Sequence, residues 1–257
     1  MDGQYVPTVT PIDIEGVDKT SKDIQGATQK ETPTFNTTAT NLNGDKIVIT
    51  PSAEYPAKLV DPATGRTIDE PSVTVAGEGT YTINPTTGEV TFTPEPSFTG
   101  TAKGVEVTLS APVGRNKDGK VQEEYVKTAT AKYTPTVTPI TISPTDKVSE
   151  DIQNVPQTQT PTFELSNDKT AKITSKKLVD PATGQPTDET TVTVPGEGTY
   201  TIDPTTGAVT FTPESDFVGK AKGVKVQATA TITNAKGETS TITAEASYTP
   251  TVKSAAP

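Results

Sequence analysis

GEGTYTINPTTGEVTFTPE occupies residues 77–95, and the nearly identical GEGTYTIDPTTGAVTFTPE occupies residues 196–214. In each copy, apolar residues alternate with threonine or another polar residue on both sides of a central turn. The apolar positions of the first copy are Tyr81, Ile83, Val90 and Phe92. A period of two is typical of strands that bury one face. The stretch therefore predicts a half-buried β-hairpin in each half of the chain.

The centre of the stretch has the residues that a tight turn needs. Asn84 can accept hydrogen bonds from the backbone that follows it, Pro85 fixes the next φ angle, and Gly88 can take the left-handed conformation that closes the turn. The second copy has Asp203, Pro204 and Gly207 at these places. DPATG, at 61–65 and 180–184, has similar turn chemistry.

The whole chain repeats, not only this hairpin. LVDPATG begins at Leu59 and Leu178, an offset of 119, whereas DIQ recurs at an offset of 128 and YTPTV at an offset of 115. The first copy therefore carries nine extra residues around 41–56 and four around 113–124, where we expect loops. A unit of 115 to 128 residues has the size of a domain.

Further alternating runs place more strands in each copy. Val224 to Ile232 alternates, NAKGE turns the chain, and Ile242 to Tyr248 alternates back, which predicts a long hairpin. With shorter runs this gives seven or eight strands per unit, the pattern of a sandwich. We expect one helical turn within 143–154, where Ser143 and Pro144 could begin a helix that carries Val148 and Ile152 on one face. The equivalent 16–29 is more polar and is expected to be a mobile loop.

The predicted fold class is all-β, with two tandem Ig-like β-sandwich domains in an elongated end-to-end arrangement. We assign 1–7 to the tail of a preceding repeat or a leader, 8–134 to repeat 1, 135–252 to repeat 2 and 253–257 to a C-terminal tail. KYTPTVTPITI lies between the repeats and has no flexible Gly or Ser, so we expect a short, stiff junction with limited bending at Pro135 and Pro139.

Composition excludes several functions. The formal charge of −10 disfavours nucleic acid and anionic membranes as partners. The chain has no His and no Cys, so a Ser-His-Asp triad, a Cys-His dyad, ordinary zinc sites and disulfides cannot form. No apolar run is long enough to span a membrane. We expect a monomer without enzymatic activity.

Two sets of repeated charged residues are candidate sites. Glu78 and Glu95, with Glu197 and Glu214 as their copies, could flank a sugar, but solvated turn residues are the simpler interpretation. The repeated lysines are Lys58, Lys177, Lys103 and Lys222. An amide cross-link to Asn would need a buried neutral Lys, and the closing strands contain no Asn, so ordinary lysines with solvated head groups are favoured.

The remaining motifs are weak. NGDK at 43–46 and NKDGK at 116–120 lack the alternating oxygen ligands of a calcium loop. NTT at Asn36 fits the glycosylation pattern, which arises easily by chance in a Thr-rich chain. The aromatic residues predicted to fill the core are Tyr81, Phe92, Phe98, Tyr200, Phe211 and Phe217. The sequence therefore predicts no catalytic, cofactor or metal site.

Taken as a set, TPTVTPI, LVDPATG, GEGTYTIDPTTGAVTFTPE, DFVGKAKGVKVQATATITNAKGETSTI and YTPTV resemble the repeats of CshA-type fibrillar surface adhesins of streptococci. The resemblance covers nearly all of repeat 2 and most of repeat 1, which departs through its two insertions. It implies a wall-anchored adhesin on the cell surface. In such a protein, β-sandwich repeats form a fibril that projects a separate binding region toward host matrix.

The residues themselves favour the same function. A sandwich with an odd number of strands has parallel first and last strands and ends that lie far apart, so tandem copies add length. We therefore predict a structural stalk whose partners are its neighbouring repeats. The alternative is an adhesive module that binds a host matrix protein or glycan through the repeat 1 insertions, and an enzyme ranks third.

Overall fold

The computed structural model describes residues 2–6, 12–40, 42–113 and 125–256. Throughout these ranges the regular structure is β-strand apart from a 3₁₀ turn at Tyr125, and no described helix is long or apolar enough to cross a membrane. Contacts divide the chain into two compact units, Met1–Thr138 and Pro139–Pro257. The expected all-β class with two tandem domains is confirmed.

Unit 1 is built from two larger sheets and a small third one. The strands are β1 (Ile14–Val17), β2 (Lys19–Ile24), β3 (Gln29–Glu31), β4 (Thr34–Thr40), β5 (Lys46–Ile49), β6 (Ala57–Asp61), β7 (Arg66–Thr67), β8 (Ser72–Val75), β9 (Gly79–Ile83), β10 (Val90–Pro94), β11 (Gly100–Thr101), β12 (Val105–Pro112) and β13 (Val126–Thr138). One sheet has the order β3-β10-β9-β8, and another has the order β11-β13-β12-β6-β7 with β2 also paired to β13. The third sheet has the order β1-β4-β5.

Unit 2 has the same two larger sheets, of six and four strands, and a small third sheet of two strands. Its strands are β14 (Ile142–Thr145), β15 (Lys147–Ile152), β16 (Gln157–Gln159), β17 (Thr162–Leu165), β18 (Ala171–Asp180), β19 (Gln185–Pro186), β20 (Thr191–Val194), β21 (Gly198–Ile202), β22 (Val209–Pro213), β23 (Gly219–Lys220), β24 (Val224–Thr233) and β25 (Thr239–Lys253). Among the described residues, unit 1 has thirteen strand segments and unit 2 has twelve, more than the seven or eight expected, and two segments in each unit are only two residues long.

The hairpins predicted from the period-two pattern are confirmed. β9 pairs with β10 so that Tyr81 faces Phe92 and Ile83 faces Val90, and the copy in unit 2 has the same register. At the turn, the Asn84 side chain accepts a hydrogen bond from the N–H of Thr86 at 3.1 Å, and Gly88 has a φ of 80°. The long hairpin of β24 and β25 is also present, with Val224 opposite Tyr248.

Two expectations near the start of each unit are wrong. Residues 143–154 form β14, β15 and a turn instead of a helical turn, and residues 19–24 form β2 instead of a mobile loop. Val148 and Ile152 are 71% and 48% exposed, so their four-residue spacing does not mark a buried helical face. β2 and β15 gain their backbone hydrogen bonds from the last strand of the unit, more than 90 residues away, whereas β14 pairs with β17.

The larger insertion is not simply a loop. Within it, β5 pairs antiparallel with β4 and becomes the edge of the small sheet. In unit 2 the corresponding chain forms the first half of β18, which pairs with β24 instead. The insertion therefore adds a third strand to a sheet that has two strands in unit 2. The smaller insertion falls largely within 114–124, outside the described residues.

The core of each unit lies between its two larger sheets. Tyr81, Phe92, Leu59, Val107 and Tyr133 are fully buried in unit 1 and come from both sheets, which makes the unit a β-sandwich. The corresponding core of unit 2 includes Leu178, Tyr200, Phe211, Val226 and Tyr248. These buried aromatic residues confirm the predicted core.

The sheets also fix the ends of each unit. β2 runs parallel to β13, and β15 runs parallel to β25, each over six residue pairs. Parallel strands require that the chain start at one end of the sheet and finish at the other. Pro135 lies inside β13, opposite Ser21, so it belongs to the body of unit 1.

Candidate functional site

The seam between the second strand and the last strand of each unit is the most distinctive site. In unit 1 the Ser21 hydroxyl lies 2.5 Å from the Tyr133 hydroxyl and donates to the Gln29 side-chain carbonyl at 2.5 Å. The Gln29 amide donates to the backbone carbonyl of Thr136 at 3.0 Å. We call these three side chains the seam triad. It joins β2, β3 and β13 in one polar network.

The local sequence explains why the triad forms. Ser21 lies on the face of β2 that turns inward, while Gln29 extends across the sandwich from the opposite sheet. Tyr133 is fully buried and Gln29 is 4% exposed, so their polar atoms need partners within the protein. Burial raises the pKa of Tyr133, although the hydrogen bond with Ser21 opposes that shift. The tyrosine therefore stays neutral at physiological pH.

Unit 2 contains the same triad. Ser149 lies 2.5 Å from the Tyr248 hydroxyl and donates to Gln157, whose amide donates to the Thr251 carbonyl at 3.0 Å. Sequence reasoning missed this site in both units. Ser and Gln do recur at the offset of 128 and Tyr at the offset of 115, but only the fold shows that they meet.

The repeated glutamates do not form a carboxylate pair across a cleft. Glu78 is 5% exposed, and its carboxylate accepts hydrogen bonds from the Tyr81 hydroxyl and from the Lys103 backbone N–H, both at 2.6 Å. Glu95 instead accepts from the Gly77 N–H at 3.0 Å. Glu197 and Glu214 make the same contacts in unit 2. The expectation of solvated residues is therefore wrong for Glu78 and Glu197, which are buried structural acceptors.

The buried glutamates act on the tyrosines beside them. Burial, followed by the hydrogen bond and the negative charge of Glu78, raises the pKa of Tyr81 far above its usual range. Burial and Glu197 do the same to the pKa of Tyr200. Both tyrosines therefore remain protonated donors under all ordinary conditions.

The repeated lysines lie on the surface. Lys58 contacts Asp69 at 2.7 Å and Lys177 contacts Asp188 at 2.6 Å. The hydrogen bond with each lysine, followed by its charge, lowers the pKa of the aspartate. The side chains of Lys103 and Lys222 are exposed, and only their backbone N–H groups reach the buried glutamates. None of the four lies in the apolar pocket that an amide cross-link requires.

The aromatic residues form the same cluster in both units. Tyr81 stacks on Phe92 with ring centroids 4.7 Å apart, and Tyr133 and Phe98 contact this pair edge-on at 6.3 and 6.4 Å. The cluster of unit 2 has centroid distances of 4.8, 6.4 and 6.4 Å. Phe98 and Phe217 are partly buried against these cores. The aromatic rings therefore fill the sandwich, as predicted.

The weaker motifs gain no ligand-binding geometry. Asn36 lies inside β4, between β1 and β5. The 43–46 segment leads into β5, where Lys46 forms an ion pair with Glu15. Within the described residues, no group of three acidic residues is arranged to hold a metal ion. The 116–120 motif lies outside those residues.

The insertion hairpin, residues 42–49, exposes apolar side chains. Leu42 is fully exposed, and Ile47 and Val48 are 52% and 59% exposed on the edge strand β5. Beyond the hairpin, a shallow depression of about 360 Å³ has Ala53, Pro56, Ile68, Pro71 and Pro85 among its lining residues. The equivalent depression of unit 2 is about 240 Å³ and has Thr and Ser at several of those places.

These features define a class of protein: tandem β-sandwich repeats without an assembled catalytic centre in the described residues. The chain belongs to the family described as the surface adhesin CshA repetitive domain, whose model matches residues 11–137 and 139–252. The predicted resemblance is thus confirmed, and with it an extracellular, cell-surface module that occurs as tandem repeats in one chain. No curated protein matches the chain.

Several solved structures of tandem domains show similarity to the chain. The titin z1z2 domains in complex with telethonin are 10% identical, with a TM-score of 0.35, 97% of this chain covered and 100% of that one. The I9–I11 tandem from titin is 11% identical, with a TM-score of 0.29 and coverage of 94% and 66%. Mouse Cadherin-23 EC22-24 is 13% identical, with a TM-score of 0.28 and coverage of 95% and 65%. The chain thus spans about two thirds of the last two.

Proposed function

We propose that the two units are structural stalk repeats of a cell-wall-anchored fibrillar adhesin, which hold a separate binding region away from the cell. The observation that carries the proposal is the parallel pairing of the second and last strands in both units. A unit whose two ends lie at opposite ends of its sheet adds length each time it is repeated. The charge of −10 also favours a solvated chain without nucleic acid or membrane partners.

Solution scattering of the two-unit chain tests this function. β25 has 15 residues, so one unit spans up to about 50 Å along its strands at roughly 3.3 Å per residue. The proposal predicts a monomer whose maximum dimension is near twice that of one unit. A maximum dimension close to that of a compact 257-residue globule would contradict it. The partners of these repeats are then the neighbouring repeats, while host matrix is bound by other parts of the protein.

A second function is favoured by one observation. The insertion hairpin gives unit 1 the edge strand β5, with Ile47 and Val48 exposed, in a sheet that has only two strands in unit 2, and an exposed edge strand can accept a further strand from a partner. Unit 1 would then bind a host matrix protein or glycan directly. Binding of the full chain to immobilised host matrix separates the two functions. Replacing Ile47 and Val48 by threonine should abolish adhesion through the hairpin, whereas a stalk shows no specific binding before or after the change.

An enzymatic function finds no support in the geometry. The repeated carboxylates that could act on a sugar are either buried acceptors or turn residues. We therefore propose a non-enzymatic module that needs no cofactor. A glycan hydrolysis assay should give no turnover above buffer, and any turnover lost on replacing Glu78 would overturn this part of the proposal.

A further inference from the structure

The seam of each unit is strengthened at more points than its six residue pairs. Just before β2, the Asp18 carboxylate accepts the backbone N–H of Lys132 at 2.7 Å. Just after β2, the N–H of Gln25 donates to the Thr138 carbonyl at 2.9 Å. The seam triad lies between these two bonds. The second strand is therefore tied to the last strand from Asp18 to Gln25.

The same ties recur in unit 2. Asp146 accepts the N–H of Ser247 at 2.8 Å, and the N–H of Gln153 donates to the Lys253 carbonyl at 3.0 Å. Other seam positions have changed between the units: Lys22 of β2 corresponds to Glu150 of β15. The polar ties are thus kept while exposed side chains beside them vary.

Tension along the chain acts on this seam in a specific direction. A pull on the two ends of a unit draws β2 toward its N-terminal end and β13 toward its C-terminal end. Because the two strands are parallel, these forces point in opposite directions along the strands, which can separate only by sliding past each other. Sliding loads the backbone bonds together rather than one at a time. The Ser21–Tyr133 contact crosses the seam, and the Gln29–Thr136 bond ties the opposite sheet to the last strand.

Burial makes the triad costly to break by sliding. Tyr133 is fully buried and Gln29 is nearly so. When sliding displaces the hydroxyl or the amide, water therefore cannot immediately replace the lost hydrogen-bond partner. A buried polar group that loses its partner bears its full desolvation penalty, and linked hydrogen bonds reinforce one another. The transition state for sliding is therefore high in energy.

We propose that the seam triad is a mechanical lock, which sets how long each unit withstands tension applied through its two ends. The inference rests on the proposed stalk function, because only a stalk between an anchor and an adhesive region is pulled in this way. Ser149, Gln157 and Tyr248 form the lock of unit 2. The lock adds resistance to force without adding length.

Single-molecule force spectroscopy on the full two-unit chain, held by its termini, tests the lock. Tyr133→Phe removes one hydroxyl and keeps the buried ring, so unit 1 should still fold. We expect the lifetime of unit 1 at constant force to fall roughly five- to tenfold, the effect of losing about one net hydrogen bond. Ser21→Ala removes two contacts and should shorten the lifetime further. Unit 2 serves as the unchanged reference in the same molecule.

The two unfolding events are told apart by length. Repeat 1 is matched over 11–137 and repeat 2 over 139–252, so repeat 1 is 13 residues longer and should release about 4.5 nm more chain at roughly 3.5 Å per residue. Tyr248→Phe repeats the test in unit 2. It should shorten the lifetime of the shorter event alone.

Tyr81→Phe is the matched control. It is the same chemical change at another fully buried tyrosine of unit 1, whose ring contacts Tyr133 but whose hydroxyl donates to Glu78 instead of bonding to the triad. We expect Tyr81→Phe to lower stability toward denaturant while leaving the lifetime under force within twofold of the parent. Equal shortening by Tyr81→Phe and Tyr133→Phe, or no shortening by Tyr133→Phe and Ser21→Ala, would overturn the lock. If the lock is overturned, the proposed stalk function still stands, because the scattering test depends only on the length of the chain.

Discussion

Replacing Glu78 by alanine tests whether a buried carboxylate holds the turn before β9 in place. The change leaves two donors without their acceptor, the Tyr81 hydroxyl and the Lys103 backbone N–H. An unsatisfied buried donor costs about 1–3 kcal/mol, and removal of the buried carboxylate recovers part of its own desolvation penalty. We therefore expect unit 1 to lose about 2–4 kcal/mol of unfolding free energy.

That loss is measurable because it is a large share of the stability of one domain, which is commonly about 5–15 kcal/mol. Unfolding of the full chain in guanidinium chloride, followed by tyrosine fluorescence, should show the midpoint of unit 1 lowered by roughly 0.5–1.5 M. Native-state hydrogen exchange would place the effect on the amides of β9 and β10. Glu197→Ala should give the same shift in unit 2.

Two variants make the test specific. Glu78→Gln keeps one acceptor and should cost about half as much as Glu78→Ala. Glu95→Ala removes a half-buried carboxylate with one hydrogen bond to the Gly77 N–H and should cost less than about 1 kcal/mol. Equal losses for Glu78→Ala and Glu95→Ala would refute the reasoning, because burial would then have no bearing on the energy of these contacts.

Two further predictions concern the same buried region. The free energy of unfolding should fall as the pH rises above about 10, because Tyr81 and Tyr200 ionise in the unfolded chain while their raised pKa keeps them protonated in the folded one. Each tyrosine contributes about 1.4 kcal/mol per pH unit, which denaturant titration can measure, and Tyr81→Phe should make the fall with pH less steep. A pH-independent stability between 9 and 12 would contradict this. Gly104→Ala should lower the unfolding free energy by more than about 1 kcal/mol, since Gly104 has a φ of 82° and a Cβ there would lie 2.3 Å from the Tyr133 carbonyl. Thermal unfolding measures this loss, and Gly65→Ala, where a Cβ would enter open space, should lose less stability.

The hairpins were predictable because local pattern and tertiary structure agree there. Tyr81 and Phe92 alternate with threonine, and the turn between them has Asn84 and Gly88 at the positions where the structure uses them. Residue spacing and turn chemistry are properties of a dozen adjacent residues. A single sequence is sufficient to read them.

The starts of the units were mispredicted because their structure is decided far away. Val148 and Ile152 lie on an edge strand and stay exposed, so burial leaves no period-two pattern in that segment. Its backbone partners are residues 248–253, at the other end of the unit. Likewise, the IVI of β5 has strand propensity, but its own residues do not indicate that it pairs with β4.

The seam triad was hidden for the same reason. Ser21 and Gln29 recur in both copies, which marks them as candidates, but Tyr133 is 112 residues from Ser21. The buried role of Glu78 was also hidden, since charged residues beside a turn are usually solvated. Recurrence at matched offsets indicates that a polar residue matters, while the fold shows what it contacts.

The separation of the two ends of one unit tests the central claim most directly. The chain has no Cys, so spin labels on cysteines placed at Thr141 and Ser254 in the full chain report on unit 2 alone. Because Ile152 pairs with Lys253, Ser254 lies near the level of Gln153, twelve residues beyond Thr141. At about 3.3 Å per residue, double electron–electron resonance should give a distance of roughly 30–40 Å between the two labels. A distance below about 20 Å would mean that both ends leave the unit side by side, and repeats of this kind could not serve as a stalk.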